Sequence, residues 1–160
     1  MAEASATETI ACTPGELLEF VLDPERYAEV DRKIGPIDWV RREATTTTFR
    51  FRGRVPGLPG PMPKIESRMT LTPGERVDVV LPRVRANRLA NLMSEFSASW
   101  VCVPADGGTT VTRTVRFAFK GPAKWLLEPA LDRVLPADLV DELHQAKAYL
   151  ESGGPVGGAA

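Results

Sequence analysis

Residues 121–151 read GPAKWLLEPALDRVLPADLVDELHQAKAYLE, and this stretch decides the fold. Its leucines recur every four residues from Leu127 to Leu143, and charged residues fill half of the positions between them. This spacing predicts one long helix with a single apolar stripe. Because an isolated helix of this length is only marginally stable in water, the stripe predicts a broad apolar surface elsewhere in the chain.

That surface is predicted to be an antiparallel sheet built from residues 36–120, where the hydrophobic period changes to two. The clearest strand pair flanks a turn at Asp106-Gly107-Gly108. With residues 105–108 as the loop, apolar residues face one another across the pair, with one charged exception. The predicted facing pairs are Cys102 with Val111, Trp100 with Arg113, Ala98 with Val115 and Phe96 with Phe117. Burial of one face of each strand also fixes the pairing across the turn between Leu71 and Val77, and it places these two residues opposite one another.

The chain is predicted to open with a strand and two short helices. Residues 1–5 form a loose polar leader in this interpretation, and residues 7–12 form the first strand. Thr13 and Glu16 have the spacing of a capping box at the start of the first helix. Asp23-Pro24 repeats the start signal for the second helix.

The composition narrows the class of protein. With 160 residues, 43% of them hydrophobic, the chain fits one domain, placed at residues 6–152 between flexible tails at 1–5 and 153–160. A net charge of −1 gives no support for a nucleic-acid partner. No apolar run is long enough for stable membrane insertion, and residues 1–9 lack the features of a signal peptide, so we expect a cytoplasmic protein. One histidine and two separated cysteines predict no metal site, and no sequence motif predicts a cofactor.

Besides this order of elements, three short stretches match the sequences of a known superfamily. They are LDPERY at 22–27, GGTTV at 107–111 and LHQAKAYLE at 143–151. Over residues 7–151 the chain resembles the SRPBCC superfamily, which includes START-related lipid-transfer domains and the bacterial polyketide cyclase/dehydrase family. The resemblance implies an α+β helix-grip fold, in which a curved antiparallel sheet of about seven strands wraps around a long C-terminal helix. It also implies an elongated apolar cavity between sheet and helix for lipids, polyketides, steroids or quinones.

Apolar residues on the strands and on the last helix are predicted to line that cavity. They are Phe49, Phe51, Met69, Phe96, Trp100, Phe117, Leu127, Leu131 and Leu135. The loop at residues 56–63 is rich in proline and glycine, and it is predicted either to be a gate carrying Leu58 and Met62 over the entrance or to be a simple connector. No catalytic residue is assigned.

Arg113 is the charged candidate for ligand binding, because it lies on an otherwise apolar strand face where an unpaired charge would be costly to bury. In one interpretation it stacks on Trp100 and holds a ligand carboxylate or enolate. In the other it reaches solvent at the end of the sheet or pairs with an acidic residue. The acidic residues Asp138, Asp141 and Glu142 are predicted to form a solvated helix face, and His144 to be exposed.

Three functions follow as hypotheses. The first is binding or transport of a hydrophobic small molecule, without cofactor or chemistry. The second is a cofactor-free cyclase or dehydratase, in which the cavity folds a flexible substrate and Arg113 stabilises enolate charge. The third is a protein-interaction module with a vestigial cavity. The ligand and the oligomeric state are left open.

Overall fold

The structure is a computed structural model that describes residues 1–55 and 62–153. Its strands are β1 (Ala2–Ile10), β2 (Ile34–Arg42), β3 (Thr46–Gly53), β4 (Lys64–Thr72), β5 (Arg76–Val80), β6 (Ser94–Ala105) and β7 (Gly108–Phe119). Its helices are α1 (Pro14–Val21), α2 (Pro24–Tyr27), α3 (Arg88–Met93) and α4 (Lys124–Glu151), with a 3-10 turn (Arg85–Asn87) before α3. The predicted α+β helix-grip architecture is confirmed.

The seven strands form one antiparallel sheet in the order β1-β7-β6-β5-β4-β3-β2. Consecutive strands from β2 to β7 are neighbours, and β1 pairs with β7, so β1 and β2 are the two edges. The β2–β3 pairing shifts register on either side of Ile37. Irregularities of this kind bend a strand and increase its local twist.

The predicted register of both turns is confirmed. All four facing pairs of the last hairpin occur as predicted, including Trp100 opposite Arg113. Leu71 lies opposite Val77 across the β4–β5 turn. Gly108, where β7 begins, has φ +155°, and a side chain there would place its Cβ only 2.0 Å from the Ile10 carbonyl oxygen. Glycine is therefore required where β1 passes beside the turn.

The first strand begins at Ala2, so the prediction of a loose leader at residues 1–5 is wrong. Ala2 pairs with Phe117 and Ala4 with Val115 on the edge of the sheet. Both alanines are buried in the core. Small alternating residues do not stand out as a strand by hydrophobic period, but here their size lets α4 pack closely over β1.

The two predicted helix starts are confirmed. Thr13 accepts a hydrogen bond from the Glu16 amide, and the Glu16 side chain accepts one from the Thr13 amide, which completes the capping box. Asp23 caps α2 in a similar way, through the Arg26 amide. The helix α3 was not predicted. It is one short element without a side-chain cap, and three of its residues are exposed hydrophobic residues: Leu89, Leu92 and Met93.

The long helix α4 is continuous through Pro129 and Pro136. It packs mainly on β1 and β7, with Leu131, Leu135, Leu139 and Leu143 fully buried or nearly so. Burial of this stripe explains why the helix is stable in this chain. Among the described residues, no helix combines the length and the apolar character needed to cross a membrane.

Candidate functional site

A cavity of about 270 Å³ lies against β3 to β7 and beneath α3. Most of its wall is apolar, and the strands supply the aromatic part of it. The apolar lining residues from these elements are Phe49, Phe51, Ile65, Met69, Val79, Leu89, Ala90, Met93, Phe96, Phe117 and Phe119. Its volume lies just below the range of roughly 300–1,000 Å³ that is typical of ligand pockets in proteins.

Seven residues predicted for the site lie on the wall of this cavity: Phe49, Phe51, Met62, Met69, Phe96, Arg113 and Phe117. Four others do not. Trp100, Leu131 and Leu135 are buried in the core, and Leu127 is half-buried on α4. Among the residues that the structure describes, none from α4 lines the cavity. The stripe of α4 is occupied by β1 and β7, which leaves the space over the other strands open. That any of these residues contacts a ligand stays a prediction.

Part of the rim of the cavity lies along α3. Leu89 and Met93 both line the cavity, and they are 56% and 50% exposed, so each reaches from the wall to the surface. Met62 also belongs to the wall and is half-buried. Leu58, the other residue of the predicted gate, lies outside the described residues.

At one end, charged and polar residues interrupt the apolar wall. Tyr27, Asp31, Lys33 and Arg113 line the cavity there, and all four are buried. Behind them Glu142, which is 2% exposed, projects from α4. We refer to these five residues as the buried ionic cluster.

Glu142 is the centre of the buried ionic cluster. Its Oε1 accepts a hydrogen bond from Arg113 Nε at 3.0 Å, and its Oε2 accepts one from Lys33 Nζ at 2.8 Å. The Tyr27 hydroxyl also donates to Oε1. Three donors on two oxygens are what an ionised carboxylate can accept. The cluster therefore ties the sheet, the segment after α2 and the helix α4 together.

Lys33 and Asp31 complete the cluster. Lys33 Nζ lies 2.9 Å from Asp31 Oδ1 and 2.8 Å from Oδ2 of Asp138, an acidic residue at the edge of the cluster. Asp31 Oδ2 lies 3.7 Å from Arg113 Nη2. Every buried charge thus has a partner of opposite sign, as buried charges require.

Arg113 combines parts of both interpretations drawn from the sequence. Its guanidinium lies 5.2 Å from the centre of the Trp100 ring, it pairs with Glu142, and it lines the cavity at 3% exposure. It does not reach solvent. Its Nη1 is buried and has no hydrogen-bond partner among the described residues. This atom is enclosed by protein, so other atoms of Arg113 border the cavity.

The prediction that Asp138 and Glu142 belong to a solvated helix face is wrong. Glu142 is buried, and Asp138 is half-buried against Lys33. Their neighbour Asp141 is exposed, as predicted, and so is His144. The sequence does contain a signal for Glu142, because it follows Leu135 by seven residues and precedes Ala146 by four, which places it on the apolar stripe.

The cluster shifts the proton affinities of its members. Burial alone would raise the pKa of Asp31, but Lys33 and Arg113 outweigh it, and the pKa lies below its ordinary value. Burial alone would lower the pKa of Lys33, but Asp31 and Glu142 outweigh it and raise that pKa. Burial is the main reason that the pKa of Tyr27 lies well above its ordinary value. At neutral pH the two cations are charged and Tyr27 is protonated.

These shifts predict how acid affects stability. A carboxyl whose pKa is lowered by folding contributes stability above its unfolded pKa, about 3.9 for aspartate, and loses it as the pH falls through the folded value. We expect Asp31→Asn to make the acid-side fall of the unfolding free energy shallower, by up to about 1.4 kcal/mol per pH unit below pH ~4. Urea unfolding across this range measures it. The exposed Asp106→Asn is the control, and identical slopes for wild type and Asp31→Asn would contradict the assignment.

Comparisons with known proteins agree with this fold. The sequence model of a family described as polyketide cyclase/dehydrase and lipid transport matches residues 1–151. No curated protein sequence matches the chain. The structure is similar to that of the Zhui aromatase/cyclase from Streptomyces sp. R1128, with a TM-score of 0.68 and 18% identity over 96% of this chain and 98% of the other.

Two further similar structures carry START or STAR-related names. A START superfamily protein from Mycobacterium smegmatis has a TM-score of 0.62 and 16% identity, over 95% of this chain and 96% of the other. A STAR-related lipid transfer protein from Xanthomonas axonopodis has a TM-score of 0.62 and 12% identity, over 91% and 84%. At these identities the similarity establishes the fold.

Proposed function

Because the chain belongs to the polyketide cyclase/dehydrase and lipid transport family, we propose that it binds a hydrophobic small molecule in the cavity beneath α3. The observation that carries this proposal is the cavity itself. It is an apolar space of about 270 Å³ against the sheet, and none of the described side chains fills it. Transfer of an apolar ligand from water into such a space is favourable in proportion to the area buried.

The exposed rim along α3 supports reversible entry. Leu89 and Met93 belong both to the wall and to the surface, so a ligand can pass from solvent to the interior along one short helix. Movement of a six-residue helix without a side-chain cap disturbs little of the core. The buried ionic cluster lies apart from this helix and gives the cavity one polar end.

Native mass spectrometry of the gently purified protein tests the proposal. We expect an added mass that corresponds to one apolar small molecule per chain and that organic extraction removes. If the protein is free of bound small molecules and also fails to take up added acetylnaphthalene, the proposal is wrong. If the chain instead carries no small molecule and is bound to another protein in a fixed ratio, that result would support an interaction module.

A cyclase or dehydratase activity is the second candidate, and Arg113 is the observation that favours it. Arg113 is a buried cation that borders the cavity, and a positive charge at such a position stabilises developing enolate charge. This activity requires turnover of a polyketide-like substrate that Arg113→Lys abolishes while ligand affinity changes little. Loss of affinity alone would assign Arg113 to binding.

A further inference from the structure

We propose that the outer face of the sheet, where β2, β3 and β4 form it, binds an acidic helix of a partner protein. Phe49 and Phe51 of β3 are buried and point toward the core. Arg50 and Arg52 alternate with them and point outward. This face lies on the opposite side of the sheet from the cavity, so the inference goes beyond the proposed function and does not rest on it.

This part of the outer face is basic, although the chain has a net charge of −1. Five cations project from it against two carboxylates, which gives it a formal charge of +3. The cations are Arg41, Arg50, Arg52, Lys64 and Arg68, and the carboxylates are Asp38 and Glu66. We refer to these seven residues as the basic face. Further along the sheet, Arg76 pairs with Asp78 and Arg116 pairs with Glu3, each at 2.6 Å, so the positive charge is concentrated on β2–β4.

Three arginines of the basic face are exposed and form no ion pair with any described residue. They are Arg41, Arg52 and Arg68. Asp38 is already paired with Lys64 at 2.9 Å, and Glu66 lies opposite Arg50. The three guanidinium groups are therefore open to carboxylates from outside the chain, which arginine binds through two parallel hydrogen bonds.

The spacing of two of these arginines fits a helix. Arg41 and Arg68 lie on either side of Thr48, on the two strands that flank β3. Since neighbouring strands are about 4.8 Å apart, the backbones of the two arginines are separated by about 10 Å. Carboxylates seven residues apart on a helix are about 10.5 Å apart and point to nearly the same side. One acidic helix can therefore pair with both arginines at once.

The residues beside these arginines favour a protein over a phosphate polymer as the partner. The Arg41 guanidinium lies 5.4 Å from the centre of the half-buried Trp39 ring. Val80, opposite Arg68 on β5, is 42% exposed. Arginine and aromatic residues are enriched in protein interfaces, whereas lysine is depleted, and the basic face has four arginines and one lysine. A nucleic-acid-binding domain is expected to be basic as a whole, and this chain is not.

A helical peptide of about 20 residues with glutamates seven residues apart is the probe, and the same peptide with glutamines is its control. In fluorescence anisotropy titrations at low salt, we expect the glutamate peptide to bind at least about tenfold more tightly than the glutamine peptide. Added salt should weaken the binding of the glutamate peptide, because exposed charges are screened.

Charge reversal locates the binding surface. The double variant Arg41→Glu, Arg68→Glu is expected to weaken binding of the glutamate peptide by at least about tenfold, because two attractive contacts become repulsive. The control is Arg83→Glu, Arg85→Glu, which makes the same change in net charge at exposed arginines outside the sheet. It should keep the wild-type affinity within about threefold. Circular dichroism verifies that both double variants are folded.

Equal binding of the two peptides, or an equal loss of affinity in both double variants, overturns the inference. Tighter binding of a thymidine oligonucleotide, or of vesicles that contain phosphatidylserine, also overturns it, because the basic face would then bind phosphates and not a protein. None of these results bears on ligand binding in the cavity, which acetylnaphthalene tests separately.

Discussion

Replacing Glu142 by alanine is expected to lower the free energy of unfolding by about 3–5 kcal/mol, because it leaves the buried Arg113 without its main partner. Glu142 accepts hydrogen bonds from Arg113, Lys33 and Tyr27. Asp31 would remain as the carboxylate nearest to Arg113. Its Oδ2 lies 3.7 Å from Arg113 Nη2, which is too long for a good hydrogen bond. Equilibrium unfolding in urea measures the loss.

A matched control lies one residue away. Asp141 is on the same helix but exposed, so Asp141→Ala is expected to change the unfolding free energy by no more than about 0.5 kcal/mol. A loss below about 1 kcal/mol for Glu142→Ala would contradict the central position given to this carboxylate. The double variant Arg113→Met, Glu142→Leu should recover part of the loss, since apolar replacements of a buried ion pair are often tolerated.

Replacing Ser67 by phenylalanine is expected to weaken acetylnaphthalene binding by at least about tenfold, because the new ring occupies space that the ligand needs. Ser67 is buried on β4, and its side chain lines the cavity. The ring enters an existing void, so the unfolding free energy should change far less than the affinity. Calorimetric titration and urea unfolding give the two quantities.

Thr70→Phe provides the control for this variant. Thr70 is exposed on the same strand and is not among the described residues that line the cavity. It introduces the same ring outside the cavity and should keep the wild-type affinity. Unchanged binding by Ser67→Phe would mean that the ligand sits elsewhere, whereas equal weakening by both variants would point to a general effect of the ring on the strand.

The sheet was predictable where burial of one face determines the pairing. A shift of one residue in the last hairpin would have turned the apolar residues of one of its two strands outward, so only one register buries both Trp100 and Val115. The short α3 was not predictable in this way. Its exposed leucines do not form a stripe that faces the core, and Arg83, Arg85 and Arg88 are typical of a loop.

Only part of the buried ionic cluster could be predicted from the sequence. Arg113 was identified because it is a charge on an apolar strand face, and the cation–π contact with Trp100 follows from their facing positions. Its partner Glu142 lies on the apolar stripe of α4, and the same reasoning applied to the helix would have found it. Asp31 and Lys33 follow α2 in an irregular segment, and no periodicity indicates that their side chains turn inward.

The position of the cavity was the least predictable feature. Leucines of α4 were expected to line it, but Leu131 and Leu135 pack fully against the rest of the core. The wall comes instead from the strands and from α3. Hydrophobic patterning identifies the residues that leave water, but it does not distinguish those that meet another side chain from those that border an empty space.

The most direct test of the account follows the methionine methyl groups by NMR. Met62, Met69 and Met93 line the cavity, and Leu92→Met adds a reference methyl at an exposed position beside Met93. On titration with acetylnaphthalene, we expect the aromatic ring to shift the signals of Met62, Met69 and Met93 and to leave the reference nearly unchanged. Saturable binding that leaves all three cavity methyls unshifted would contradict it.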